Sequence, residues 1–168
     1  MADPEVRVLI CYDGSDHAKH AIEGAAKLFP GASATVVYVA ESLAHMLQRY
    51  PSPDSFVGDI PFETVDENNA EVGSSIADEG AALATNAGIR AVGRCVISDG
   101  SAWEAALVVA DEIDADVIVA GDRGRSGVRE LVRGGFSRHL LQRSNRPVLA
   151  LPDPELARAR RKAAQPPD

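Results

Sequence analysis

Short apolar runs alternate with segments of helical period along almost the whole chain, and no other feature restricts its architecture as strongly. The first run, Val6-Arg7-Val8-Leu9-Ile10-Cys11-Tyr12, ends at the turn Asp13-Gly14-Ser15. Ser15 is a good N-cap, and Ala18, Ala21, Ile22, Ala25, Ala26 and Phe29 then recur at helical spacing until Pro30-Gly31 stops them. Similar runs predict strands over 34–39, 90–97, 116–121 and 147–151. Helices are predicted over 66–87, with Gly88 ending it, and over 101–113, opened by the capping box Ser101-Ala102-Trp103-Glu104. A shorter helix is expected over 134–143. Residues 40–66, punctuated by Pro51, Pro53, Gly58 and Pro61, accommodate one short helix near 42–49 and otherwise read as a long connection. Continuously apolar strands are buried on both faces, so the pattern predicts a single-domain, doubly wound α/β fold with a five-stranded parallel sheet.

Length agrees, because 168 residues allow one domain at roughly 100–200 residues each. The expected division is an α/β domain over 1–152 and a basic, disordered tail over 153–168. With 45% apolar residues the chain can bury a core without disulfides or a structural metal. No apolar run approaches the ~20 residues a membrane helix needs. The acidic start, Met1-Ala2-Asp3-Pro4-Glu5, leads straight into a strand and predicts no signal peptide, hence a cytoplasmic location. A net charge of −8 argues against wholesale nucleic-acid coating, and neither nucleic acid nor a membrane is expected as a partner. The charge is unevenly placed: residues 1–119 hold 6 Lys+Arg against 20 Asp+Glu, whereas 120–168 hold 11 against 5. A basic final third on an acidic chain marks an anion site or a solvated tail containing Arg158, Arg160, Arg161 and Lys162.

In open parallel sheets, ligands sit beyond the carboxyl ends of the strands where strand order reverses. The turn after the first strand carries Asp13, and the fourth strand opens into Gly121-Asp122-Arg123-Gly124-Arg125-Ser126-Gly127. Glycine lets an anion approach backbone N–H groups closely. Gly134-Gly135 then opens a helix, whose unpaired N–H groups favour phosphate. Gly121, Gly124 and Gly134 therefore read as one phosphate cradle, to which Arg123 or Arg125 adds charge-assisted hydrogen bonds.

At this point the chain resembles a known family. Gly121-Asp122-Arg123-Gly124, nine residues, then Gly134 resembles the Gly-x2-Gly-x9-Gly-(Ser/Thr) signature of ATP-binding universal stress proteins. The opening Val8-Leu9-Ile10-Cys11-Tyr12-Asp13-Gly14-Ser15, the segment Asp114 to Gly121 and the closing Ser144-Asn145-Arg146-Pro147-Val148-Leu149 agree with it. The resemblance implies a Rossmann-like sheet ordered 3-2-1-4-5 that binds ATP, with Mg or Mn, over the first and fourth strands. Asp13 would meet the ribose or a phosphate-bound metal, Val39 would offer its backbone to adenine, and Ala120 would lie beside the base and ribose. Gly121, Arg123, Gly124, Gly134, Gly135, Phe136 and Ser137 would surround the phosphates. The implied role is a nucleotide-sensitive stress-response module with an unidentified protein partner. A homodimer would form through the fifth strand, Val148, Leu149, Ala150 and Leu151, an apolar edge that invites pairing.

One residue departs from the signature: Gly135 stands where the family has Ser or Thr. A hydrogen bond to a charged group contributes roughly 1.5–3 kcal/mol, so losing that hydroxyl weakens binding about tenfold or more. This leaves a same-fold dimeric scaffold without tight ATP binding as one alternative, and a slow ATP hydrolase as another. No nucleophile elbow, Walker motif or metal-ligand cluster is present, so no catalytic residue is assigned. Cys11 and Cys95 fall on strands two spacings apart, about 9.5 Å, too far for a disulfide. His17, His20 and His139 read as surface residues, and Trp103 as a core or interface anchor.

Overall fold

The computed structural model describes residues 5–49, 61–122, 135–152 and 154–164. Five strands, β1 (Arg7–Cys11), β2 (Ser33–Glu41), β3 (Arg90–Ser98), β4 (Val117–Gly121) and β5 (Val148–Leu151), form one sheet ordered β3-β2-β1-β4-β5. Every pairing is parallel. The helices are α1 (Asp16–Leu28), α2 (Leu43–Arg49), α3 (Phe62–Asn86), α4 (Ala102–Glu112), α5 (Phe136–Arg143) and α6 (Pro154–Ala163). Strand order reverses between β1 and β4, as the doubly wound reading requires.

Alternation along the strands sorts the core into two layers. Val8, Ile10, Val36, Val117 and Val119 face α1 and α3, packing on Ala18, Ile22, Ala81 and Ala84. Leu9, Cys11, Val37, Ile118 and Ala120 face α4 and α5, packing on Ala106, Val109 and Leu140. Small residues bring the helices close. A Cβ at Gly93 of β3 would lie 2.8 Å from the backbone of Ala77 and Asp78, so only glycine lets α3 rest there.

The caps follow the sequence. Ser15 Oγ accepts the Ala18 N–H at 3.2 Å, and the Ser101 N–H donates to Glu104 Oε2 at 3.1 Å. Gly88, at φ 97°, follows the end of α3. Two outcomes differ from expectation. α3 begins at Phe62, four residues before the predicted start, and its N-cap Pro61 makes no side-chain capping bond. The segment expected to be a disordered tail forms α6, with Pro154 and Glu155 at its start and Arg160, Arg161 and Lys162 in its last turn. No helix among the described residues is long and apolar enough to cross a membrane.

The amino ends of the strands are tied by ion pairs. Arg146 donates to Asp111 Oδ1 at 2.9 Å and to the Ala115 carbonyl at 2.7 Å, and Arg7 donates to Asp114 Oδ2 at 2.7 Å. A groove of about 550 Å³ at this end includes Arg7, Thr35, Arg90 and Val92 in its lining. Arg7 is paired with Asp114 and Arg90 with Glu5.

Candidate functional site at the parting of the central strands

At the carboxyl ends, β1 and β4 separate. Their register runs through Val8 with Val117, Leu9 with Ile118 and Ile10 with Val119. Beyond that point each strand keeps only its outer neighbour. Cys11 pairs with Val37, and the Tyr12 N–H donates to the Val37 carbonyl at 2.9 Å. Ala120 and Gly121 pair with Ala150 and Leu151, and the Asp122 N–H donates to the Leu151 carbonyl at 2.9 Å. A crevice therefore opens between the turn after β1 and the end of β4.

The direction of the main-chain groups follows from the same bonds, because alternate residues of a strand turn their N–H and C=O to opposite neighbours. Tyr12 bonds toward β2, so Cys11 and Asp13 present their backbone toward β4. Asp122 bonds toward β5, so Gly121 presents its backbone toward β1. Val37 bonds toward β1, and Val39, two residues on, faces the same side where the chain has already turned away at Asp13. Strand alternation thus turns the backbone groups of Val39 and Gly121 toward the gap that opens beside the Asp13 turn, and Ala120, next to Gly121, is 1% exposed.

Asp13 shapes the turn itself. Its Oδ1 accepts the Ser15 N–H at 3.0 Å, and Gly14 takes φ 79°. Beneath the turn, Tyr12 donates its hydroxyl to Glu79 Oε1 at 2.9 Å, and Lys19 Nζ lies 3.5 Å from the same oxygen, joining β1, α1 and α3. Burial and the Glu79 carboxylate both push the Tyr12 phenol upward, so it stays protonated. Burial pushes the Cys11 thiol up to about 12. Cys11 and Cys95 are free thiols, the first buried and the second half-buried.

On the β4 side, α5 starts beside the crevice. Gly135 is its N-cap and supplies no side-chain cap, so no side chain at that position covers the first N–H groups of the helix. The Ser137 Oγ, 8% exposed as a residue, donates to the Asp122 carbonyl at 3.4 Å and ties the first turn of α5 to the end of β4. Phe136 packs on the same core layer as Val39 and Trp103. Trp103 of α4 stacks on His139 of α5 with ring centroids 5.3 Å apart, so His139 is engaged by an aromatic face and is not a bare surface residue.

The structure thus brings Asp13, Val39, Ala120, Gly121, Gly135, Phe136 and Ser137 to one end of the sheet. Arg123, Gly124, Gly134 and the rest of the glycine loop lie outside the described residues. His17 and His20 are half-buried on α1, with His20 Nδ1 2.7 Å from the Asp16 carbonyl oxygen. Among the described residues, no group of three His, Cys, Asp or Glu is placed to hold a metal ion. The sequence reading did not anticipate the role of Arg160, whose guanidinium donates to Asp122 Oδ2 at 2.8 Å.

Comparison with known proteins fits this geometry. A family model described as the universal stress protein family matches residues 6–152. A curated universal stress protein of Thermus aquaticus, from the 3′ region of a QAH/OAS sulfhydrylase gene, is 32% identical over 146 residues, covering 84% of this chain and 95% of its own. Two solved structures show the same fold. A universal stress protein in complex with cAMP has a TM-score of 0.62 at 22% identity, over 89% of this chain and 98% of its own. The universal stress protein from Archaeoglobus fulgidus in complex with dAMP has a TM-score of 0.56 at 20% identity, over 87% and 96%.

Proposed function

Since the chain belongs to the universal stress protein family, we propose that it binds adenine nucleotide, with ATP as the ligand, in the crevice between β1 and β4. The observation that carries this reading is the parting of the two central strands past Ile10 and Val119. It leaves main-chain donors and acceptors of adjacent turns facing one gap, with the start of α5 beside it. That two relatives of the same fold are solved with cAMP and dAMP supports an adenine nucleotide as the class of ligand.

In this arrangement the Val39 backbone reads the edge of adenine, Ala120 packs against base and ribose, and Asp13 meets the ribose. Gly121, Gly135, Phe136 and Ser137 take the phosphates through their N–H groups, while the Ser137 hydroxyl stays on the Asp122 carbonyl. Arg123, Gly124 and Gly134 complete that cradle. A divalent ion fits only as a companion of the phosphates: Asp13 supplies one carboxylate, and Mg is commonly held by one or two carboxylates plus substrate phosphates. When bound, Mg or Mn neutralises phosphate charge. The protein then acts as a nucleotide-sensitive stress-response module in the cytoplasm, homodimeric through β5, that presents a nucleotide-dependent surface to a protein partner.

The scaffold reading has its own observation: Gly135 gives α5 no hydroxyl where the signature has one. Mass spectrometry of small molecules released from freshly purified protein, followed by calorimetric titration with ATP, separates the two. Co-purified ATP, ADP or AMP, or saturable ATP binding, supports the nucleotide reading. A protein that carries none and gives no heat with ATP is the scaffold.

A further inference from the structure

Asp122 directly follows Gly121 and is held on three sides. Its N–H bonds to Leu151 of β5, its carbonyl accepts the Ser137 hydroxyl of α5, and its carboxylate accepts from Arg160 of α6. The Asp122 side chain is 25% exposed and the Arg160 side chain 60% exposed. A carboxylate at this end of the crevice is the wrong charge for a polyanion. A guanidinium at 2.8 Å cancels that charge, and its planar fork has further N–H groups that suit phosphate oxygens. Exposed ion pairs add little to stability, so the pairing is poorly explained as a brace for α6.

We propose that Arg160 is a phosphate-binding residue of the crevice, poised there by Asp122, and that it discriminates among adenine ligands by the number of phosphates they carry. The assignment rests on the nucleotide reading above and deepens it. A lone α-phosphate next to the ribose is served by the backbone of Gly121 and the first turn of α5. The outer phosphates extend toward Asp122, where the guanidinium is shared between its carboxylate and the incoming oxygens. Arg160 therefore contributes most to a triphosphate, less to a monophosphate and nothing to the nucleoside.

The test is calorimetric titration of the full chain with ATP, AMP and adenosine, comparing the unsubstituted protein with Arg160→Ala and Arg158→Ala. Arg158 is exposed and lies about 200° round the same helix, so it controls for simple loss of positive charge. Arg160→Ala is expected to weaken ATP about tenfold or more, AMP less, and adenosine not at all, with Arg158→Ala matching the unsubstituted protein. Equal losses for all three ligands, no loss for ATP, or the same loss in both variants overturns the assignment. Should the unsubstituted protein bind none of the three, the adenine reading fails, and inorganic tripolyphosphate then decides the arginine separately. Tripolyphosphate binding weakened by Arg160→Ala alone upholds the phosphate site; binding that is absent or indifferent to that change overturns it.

Discussion

Individual side chains at the two ends of the sheet have opposite tasks. At the amino end, Asp114 sits at φ 49° and accepts from Arg7 and Arg146, whose guanidinium groups hold its carboxyl below the ordinary value of 3.8. A depressed carboxylate stabilises the fold above its unfolded pKa, and the contribution is lost as pH falls through the lower folded value. Denaturant midpoints should therefore drop as the pH is taken below about 4. Asp114→Asn, which tolerates the same left-handed backbone, should flatten that part of the profile in urea titrations. At the carboxyl end Gly135 leaves room among the described residues, because a Cβ there would meet none of their atoms within 4 Å and φ is −62°. Gly135→Ser is expected to tighten ATP binding about tenfold by calorimetry, through one added hydrogen bond to a charged group. An unchanged affinity would show that the hydroxyl of the family signature does no work in this chain.

Among the elements, β5, the edge strand of the described sheet, makes the sharpest claim. Ile118 and Asp122 donate to Pro147 and Leu151, so odd-numbered residues of β5 bond toward β4, and Val148 and Ala150 turn their N–H groups outward. Proline at 150 removes an outward donor and spares the ladder to β4, whereas Leu149→Pro would remove a donor on the β4 side and leave the outward donors in place. Ala150→Pro should sediment as a folded monomer if β5 is the dimer contact, and a persistent dimer would remove β5 from that role. Which elements were legible follows from where their signals lie. The strands announced themselves by continuous apolar runs, and α1 and α4 by Ser15 and Ser101. The start of α3 did not, because Pro61 offers no capping oxygen. Asp66, the residue that looked like its beginning, caps a different helix by accepting the Leu43 N–H of α2 at 2.9 Å. For α6 the signals were present in Pro154, Glu155 and the terminal cations, but flanking prolines and high charge argued for disorder. Its pairing with Asp122 spans 38 residues of sequence, which no local pattern encodes.

Across the whole molecule, charge divides along the sequence within β4, with residues 1–119 acidic and 120–168 basic. The strands β1, β2 and β3 with α1 to α4 belong to the acidic portion of the chain, and α5, β5 and α6 to the basic portion. Among the described residues of the basic portion, Arg160 pairs with Asp122 at the end of β4, on a protein whose net charge is −8. The described parts of both walls of the crevice, the turn after β1 and the end of β4, come from a single chain, so the proposed binding is expected to survive in a monomer. A ligand that binds only the folded state stabilises it by about 2.7 kcal/mol at a hundredfold excess over Kd. At roughly 2–4 °C per kcal/mol for a domain near this size, ATP should raise Tm by about 5–10 °C in scanning calorimetry. GTP should give a smaller shift under the proposal that the Val39 backbone reads the adenine edge, and an equal shift would remove Val39 from that role. The same shift is expected in Ala150→Pro, where no partner can contribute. A shift present in the dimer and lost in that monomer would mean that the second chain completes the site.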